Sequence, residues 1–188
     1  VGKAVTACML GGELYPTTAI GINLPNNEKI REDFGSKSVT ITNIIESYNE
    51  SSNSSIIDEF AEEEMKEDLK KYSALTSQIH VYLHVCVGHG SGKLNPGINR
   101  SSLKNYSSTI EEARADLFGL YFITDNKMVE LGIMPEGNRS QKVQYYHYIM
   151  DAFLVQLNKV KLGEKIEEDH MRNRYLIANW LLKQGCYK

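Results

Sequence analysis

Two histidines, His84 and His89, are the residues of this sequence best placed to share a metal ion. An apolar stretch precedes them, and the glycine-rich segment 90–93 follows them. Side chains four residues apart share a helix face, whereas residues five apart are about 140° apart around the axis. The pair can meet one metal only if the helix carries an extra residue, as in a π-bulge, and Gly88 tolerates one best. The alternative is that both histidines are hydrogen-bonded polar residues of a half-buried helix.

A second group of ionisable residues, Glu111, Glu112 and Asp116, lies at the start of a strong helical pattern. Ser108 and Glu111 have the spacing of a capping box, which gives Glu111 a structural role at the helix N-terminus. Glu112 and Asp116 are four residues apart, so they share a face of the predicted helix.

Together the two motifs resemble those of the dipeptidyl-peptidase III family of zinc metallopeptidases, whose hallmarks are HExxGH followed by EExRAE or EExRAD. The similarity extends through residues 90–94 and 116–120. Residues 21–26 also resemble the substrate-binding strand of this family, and residues 170–174 resemble a later helix. One position departs from the pattern, because Val85 stands where the family has glutamate.

The resemblance implies one zinc ion per chain, bound by His84, His89 and Glu112. A catalytic zinc site has three protein ligands and an open fourth position, and two imidazoles with one carboxylate meet that need. Ligand histidines usually donate their other ring proton to a carboxylate, for which Glu111 and Asp116 are the candidates.

The resemblance also assigns residues to a substrate cleft. Gly21, Asn23 and Asn26 match the strand that holds an extended peptide as an added strand would be held. Turn formation beside the intervening proline is the alternative role for the two asparagines. His170 and Arg174 match a histidine that stabilises the tetrahedral intermediate and an arginine that shapes the nearby electrostatics. Without the resemblance they would be a solvated pair on one helix face.

Val85 changes the catalytic expectation. In the family the glutamate takes a proton from the attacking water and passes it to the leaving amine, which valine cannot do. Because positioned acid–base groups contribute roughly 10²- to 10⁴-fold, we expect a zinc-binding, dipeptidyl-peptidase-like lobe with severely reduced activity. The alternatives are a helical structural or peptide-binding domain without metal, and an ordinary dipeptidyl peptidase in which Val85 is a local variant or a sequence error.

The chain around these motifs predicts a mainly α-helical fold with a small extended segment near the N-terminus, before residue 45. The predicted helices are approximately residues 56–72, 74–90, 108–123, 140–160 and 166–184, with a short helix from 125 to about 132. At 188 residues the sequence fits a single domain. Because members of the family are several times longer, we expect residues 1–188 to be the metal-bearing part of the helical catalytic lobe of a longer bilobal protein.

Composition narrows the range of partners. The net charge is −3 and both signs are mixed along the chain, which argues against nucleic acid as a ligand. The longest apolar runs fall short of the ~20 residues that a membrane helix needs. Three cysteines do not make a disulfide framework and favour a reducing compartment, so we expect a cytoplasmic location. The expected partners are short peptides and the remainder of the bilobal parent chain.

Overall fold

The computed structural model describes residues 2–8, 19–25, 27–52 and 54–186. Over these ranges the chain is mainly helical with one small sheet near the N-terminus, which confirms the predicted fold class. The α-helices are α1 (Glu28–Phe34), α2 (Thr42–Ser52), α3 (Ser54–Phe60), α4 (Glu63–Tyr82), α5 (Ser107–Phe122), α6 (Asn126–Glu130), α7 (Asn138–Met150) and α8 (Asp169–Lys183). Two segments are π-helical (Leu83–Gly88, Asp151–Gln156), and two are 3₁₀-helical (Arg100–Tyr106, Leu157–Lys159). None of the helices in these ranges combines the length and the apolar character needed to cross a bilayer.

The sheet has three strands, which are β1 (Gly2–Val5), β2 (Gly21–Leu24) and β3 (Lys37–Ile41). Strand β3 lies in the middle, parallel to β1 and antiparallel to β2. Ser38 and Thr40 of β3 are both buried, because alternate side chains of a strand point to the same face. This face lies against the π-helical segment that follows α4, so the sheet covers the first histidine motif.

Helix α4 runs directly into the π-helical segment Leu83–Gly88, which contains His84 and ends just before His89. The amide of His89 donates to the carbonyl of His84 at 2.9 Å, a hydrogen bond that spans five residues instead of four. This wide turn confirms the irregularity that the histidine spacing predicts. The structure requires glycine at position 88 for a different reason from the predicted one. A Cβ at this position would lie 2.7 Å from Cα of Ala115, so glycine allows α5 to approach the π-helical segment closely.

The helices pack around three apolar clusters. Helix α5 lies between the π-helical segment and α8, and α7 packs along α4. The cluster that joins α5, α7 and α8 consists of Ala113, Leu120, Tyr148 and Ile177. The other two consist of Ile57, Leu69 and Val143, and of Ile79, Ile123, Met128 and Met134. Because α4, α5, α7 and α8 share this core, side chains from all four helices can meet at one place.

Several predicted helix limits are wrong. The predicted helix 56–72 is divided at Ala61–Glu62, because Glu62 takes an extended conformation as the N-cap residue of α4. Helix α4 then continues without a break beyond residue 72, and its polar Ser73 is buried inside the fold. The predicted helix 140–160 becomes π-helical at residue 151 and 3₁₀-helical at residue 157. The last helix begins at residue 169, where the Glu168 side chain accepts a hydrogen bond from the Met171 amide.

Candidate metal centre

The π-helical turn brings His84 and His89 together. Their ring centroids are 4.6 Å apart and the ring planes are perpendicular. Both rings turn Nε2 toward Oε2 of Glu112 on α5, at 3.2 Å for His84 and 3.5 Å for His89. One donor atom from each of these three residues lies within 4.8 Å of the other two. The structure therefore assembles the three predicted ligands in a cluster that one metal ion could bridge.

The environment of Glu112 suits a bound cation. Its Oε2 is buried without a well-directed hydrogen bond from the described residues, although three imidazoles approach it. The third is His170, whose Nε2 lies 3.3 Å away. Burial raises the pKa of Glu112, but the nearby imidazoles of His84, His89 and His170 outweigh it and hold that pKa well below its ordinary value. A buried carboxylate that remains ionised beside imidazole nitrogens is a donor set that zinc uses in proteins.

Glu111 supports His89 and does not cap its helix. Its Oε1 lies 3.1 Å from Nδ1 of His89, and Arg114 donates two hydrogen bonds to the same carboxylate. Helix α5 begins at Ser107, and no side chain caps it. The predicted capping box with Ser108 is therefore wrong, because Ser108 lies inside the helix, and the Glu111 carboxylate is engaged by His89 and by Arg114 one turn further along α5. Glu111 occupies the position predicted for a carboxylate behind a ligand histidine.

Asp116 supports His84 from behind. Its Oδ1 lies 2.7 Å from Nδ1 of His84, which leaves Nε2 of that ring directed at Glu112. Burial lowers the pKa of His84, but hydrogen bonds to Asp116 and Glu112 outweigh it and raise the pKa to about 9. The field at this ring therefore favours a positive charge, which a divalent cation would supply. Burial also raises the pKa of Asp116, but Arg174, His80 and His84 hold it well below its usual range.

Three further residues contact Asp116, and of these the sequence suggests only His80, as a possible spare ligand on the face of His84. His80 approaches Oδ1 with Nε2 at 3.2 Å, Tyr148 donates to Oδ2 at 2.9 Å, and Asn173 donates to Oδ2 at 2.5 Å. The signal for His80 was available, because it lies four residues before His84 on the same helix face. Tyr148 carries no local signal, since only the packing of α7 on α5 brings it to Asp116.

The two predicted cleft residues on α8 occupy different surroundings. His170 is exposed and lies between Oε2 of Glu112 and Oε1 of Glu168, which is 2.6 Å from its Nδ1. Arg174 is largely buried, with Nε 3.2 Å from Oδ2 of Asp116 and its guanidinium 4.0 Å from the centre of the Tyr148 ring. The structure thus brings His170 to the edge of the cluster of His84, His89 and Glu112, and Arg174 behind it.

A cleft of about 650 Å³ opens beside this cluster. Strand β2 lines one side, and the histidine and carboxylate side chains of the cluster line the other. Among the described residues β2 is an edge strand, because β3 pairs with only one side of it. An edge strand offers backbone groups that can pair with an extended peptide.

The predicted substrate-binding residues contact the π-helical segment. The side-chain amide of Asn23 donates to the carbonyl of Val85 at 3.2 Å, and the Ser38 hydroxyl donates to the same carbonyl at 3.1 Å. A Cβ at Gly21 would lie 2.7 Å from a methyl group of Val85, so glycine allows β2 to rest directly on that side chain. Val85 is 6% exposed, and its methyl groups face the strand. Asn26 lies outside the described residues.

Comparisons with known proteins agree on one family. A model of peptidase family M49 matches residues 15–100 and 95–188. The chain is 27% identical to dipeptidyl peptidase 3 of Dictyostelium discoideum, over 91% of this chain and 30% of that protein. It is also 27% identical to dipeptidyl peptidase 3 of Nematostella vectensis, over 88% of this chain and 26% of that protein.

Solved structures give the same answer. The structure of DPP III from Caldithrix abyssi superposes with a TM-score of 0.68 at 28% identity, covering 90% of this chain and 31% of that one. Dipeptidyl-peptidase III from Corallococcus sp. strain EGB gives a TM-score of 0.71 at 26% identity, over 89% of this chain and 30% of that one. The chain therefore spans about 30% of the length of the relatives that it matches.

Proposed function

The chain belongs to peptidase family M49, and from this membership we propose that it forms the metal-binding part of a dipeptidyl-peptidase III-like zinc peptidase. In this proposal His84, His89 and Glu112 bind one zinc ion per chain. Residues 1–188 would be part of the helical catalytic lobe of a longer bilobal protein. The proposed substrates are short peptides, from which the complete enzyme would release N-terminal dipeptides. The cytoplasmic location stays a prediction.

The metal assignment rests on one observation. The Nε2 atoms of His84 and His89 both point toward Oε2 of Glu112. A regular helix would separate the two rings, so the π-helical turn has a clear purpose if both bind one ion. Two imidazoles and a carboxylate favour zinc over magnesium or calcium, which prefer oxygen ligands. When bound in such a site, zinc lowers the pKa of a coordinated water to about 7 and polarises carbonyl groups.

The surrounding residues fit the handling of a peptide. The free edge of β2 could pair with an extended substrate and direct its peptide bond toward the cluster. His170, at the rim of the cleft, is close enough to the cluster to donate a hydrogen bond to the oxygen that gains negative charge during hydrolysis. Arg174 would act indirectly, because its guanidinium stabilises the ionised Asp116 carboxylate.

Val85 would make this site a poor catalyst. Valine offers neither a proton acceptor nor a donor, and its side chain is packed beneath Gly21. The carboxylates of Glu111, Glu112 and Asp116 all face histidines within 3.5 Å, so none of them replaces the general base as placed. We therefore propose that peptide binding is kept and that turnover is reduced by roughly 10²- to 10⁴-fold relative to a relative with glutamate.

Zinc titration of the Glu112→Gln variant tests the proposal. This change removes the charge of the third ligand and keeps its size. Parent protein should bind one zinc ion per chain, whereas Glu112→Gln should lose most of its zinc affinity. Glu130→Gln is the matched control, because Glu130 is exposed on α6 and pairs with Lys127. Equal zinc binding by the Glu112→Gln variant and the parent would contradict the assignment of Glu112 as a ligand. Absence of zinc binding by the parent would favour a helical peptide-binding domain without metal.

A further inference from the structure

Asp116 is the meeting point of side chains from four helices. It is 1% exposed, and its two carboxylate oxygens face different partners. Oδ1 faces α4 and the π-helical segment that follows it, where Nε2 of His80 lies at 3.2 Å and Nδ1 of His84 at 2.7 Å. Oδ2 faces α7 and α8, where it accepts hydrogen bonds from Tyr148 and Asn173. The orientation of this one carboxylate therefore depends on both sets of partners.

We propose that Tyr148 is a positioning residue of the metal centre, whose hydroxyl holds Asp116 in the orientation that directs His84 at the metal. This inference rests on the proposed function. The terminal torsion of an aspartate side chain has broad energy wells, so the carboxylate plane is set by its hydrogen-bond partners. Fixing Oδ2 through the Tyr148 hydroxyl leaves Oδ1 facing Nδ1 of His84.

Tyr148 is itself held rigidly. Its side chain is 2% exposed, its ring lies 5.7 Å from the His80 ring, and the Arg174 guanidinium covers its face at 4.0 Å. Burial raises the pKa of the Tyr148 hydroxyl well above its usual value, and the Asp116 carboxylate adds to this, so the hydroxyl stays protonated as a donor. A fixed ring with a permanent donor can set the position of a carboxylate.

The effect of a Tyr148 variant can be separated from the effects of the predicted site residues, because Tyr148 lies on a different helix. It lies on α7, which carries none of them, whereas Asn173 lies on α8 beside His170 and Arg174. A change confined to the Tyr148 hydroxyl therefore leaves the side chains of the cleft in place. Asp116 is the outer partner of His84, and altering such a partner costs about 10- to 100-fold in metal affinity. Tyr148→Phe acts one contact further out and should lower zinc affinity by about 10-fold at most, the lower end of that range.

Tyr145 provides the matched control. It lies three residues earlier on α7, and its hydroxyl donates to the carbonyl of Leu120 on α5 at 2.9 Å. Tyr148→Phe and Tyr145→Phe each remove one hydrogen bond between α7 and α5, so both should lower the melting temperature of the metal-free chain. Only Tyr148→Phe should weaken zinc binding and alter the visible absorption spectrum of the cobalt-substituted protein. A second variant, Asn173→Ala, removes another donor to Oδ2 and should weaken zinc binding in the same direction.

A double-mutant cycle with Asp116→Ala tests whether Tyr148 acts through this carboxylate. In that background Tyr148→Phe should cause no further loss of zinc affinity, because the group that it positions is absent. Equal losses for Tyr148→Phe and Tyr145→Phe, or a full further loss in the Asp116→Ala background, would overturn the inference. His84→Ala separates this from the proposed function. If His84→Ala binds zinc as tightly as the parent, the metal centre itself is wrong, whatever the tyrosine variants show.

Discussion

The side-chain amide of Asn23 donates to the backbone carbonyl of Val85 at 3.2 Å, which ties the edge strand β2 to the π-helical segment. Ser38 donates to the same carbonyl from β3. The wide helical turn that brings the two histidines together is thus held by the sheet through one oxygen atom. This connection links the cleft wall to the proposed metal centre.

Replacement of both donors should cost more stability than the two single changes together. In Asn23→Ala or Ser38→Ala one hydrogen bond to the Val85 carbonyl remains, so each should lower the free energy of unfolding by about 1 kcal/mol. The double variant leaves this carbonyl without a side-chain donor, which adds a penalty of about 1–3 kcal/mol. Urea denaturation of the four proteins measures this coupling. Strictly additive losses would show that the carbonyl does not depend on these donors.

Val85→Glu should restore the missing base. It places a carboxylate directly after His84, as in the family motif, and in a protein that includes the other lobe dipeptide release should increase by about 10²-fold or more. Val85→Gln is the matched control, because it adds a side chain of similar size without a base, and it should bring no such gain. The measurement is release of dipeptide from a chromogenic substrate by fully zinc-loaded protein.

Two outcomes would contradict this account of Val85. If the parent cleaves as fast as Val85→Glu, another group supplies the base. If the rate of dipeptide release increases as much in Val85→Gln as in Val85→Glu, the increase comes from altered packing against Gly21 and not from proton transfer.

His170→Ala should retain most of the zinc affinity. The His170 ring is exposed, and its Nδ1 is engaged by Glu168, so we assign it to substrate and not to the metal. Its removal should lower turnover of the Val85→Glu enzyme more than it lowers zinc binding. Loss of zinc equal to that in His84→Ala would instead make His170 a fourth ligand, which would close the site in the manner of structural zinc centres.

Gly88→Ala should damage both stability and metal binding. The added methyl group would lie 2.7 Å from Cα of Ala115, so the π-helical segment and α5 must separate. Overpacking of this kind typically costs 1–3 kcal/mol, and the same displacement would move the histidines away from Glu112. Thermal melting with and without zinc measures both effects. A variant as stable as the parent in both conditions would contradict the close packing of these two elements.

Much of this site could be predicted from local patterns. The five-residue spacing of His84 and His89 demands a wide helical turn if both bind one ion, and the structure has that turn. The pattern of apolar and β-branched residues also separates a small sheet from the helices that follow. These features depend on short stretches of chain, so they can be read from the local sequence pattern.

The parts that could not be predicted depend on tertiary contacts. Glu111 has the spacing of a capping box, but α5 begins at Ser107 and the packing of α5 on the π-helical segment brings the Glu111 carboxylate to His89. The contact of Tyr148 with Asp116 joins residues 32 positions apart, and nothing in either local sequence indicates it. The sequence points to Gly88 because glycine has a flexible backbone. In the structure glycine matters there because the absence of a side chain lets Ala115 of α5 approach closely.

Zinc K-edge X-ray absorption of the metal-loaded chain tests the central claim most directly, because it identifies the ligand atoms. The account predicts only nitrogen and oxygen neighbours at about 2.0–2.2 Å, with the outer scattering of two imidazole rings. Cys86 lies in the same π-helical segment, but its Sγ faces the β1 residue Gly2, so no sulfur should bind. A zinc–sulfur distance of about 2.3 Å, or a spectrum without imidazole, would contradict a centre built from His84, His89 and Glu112.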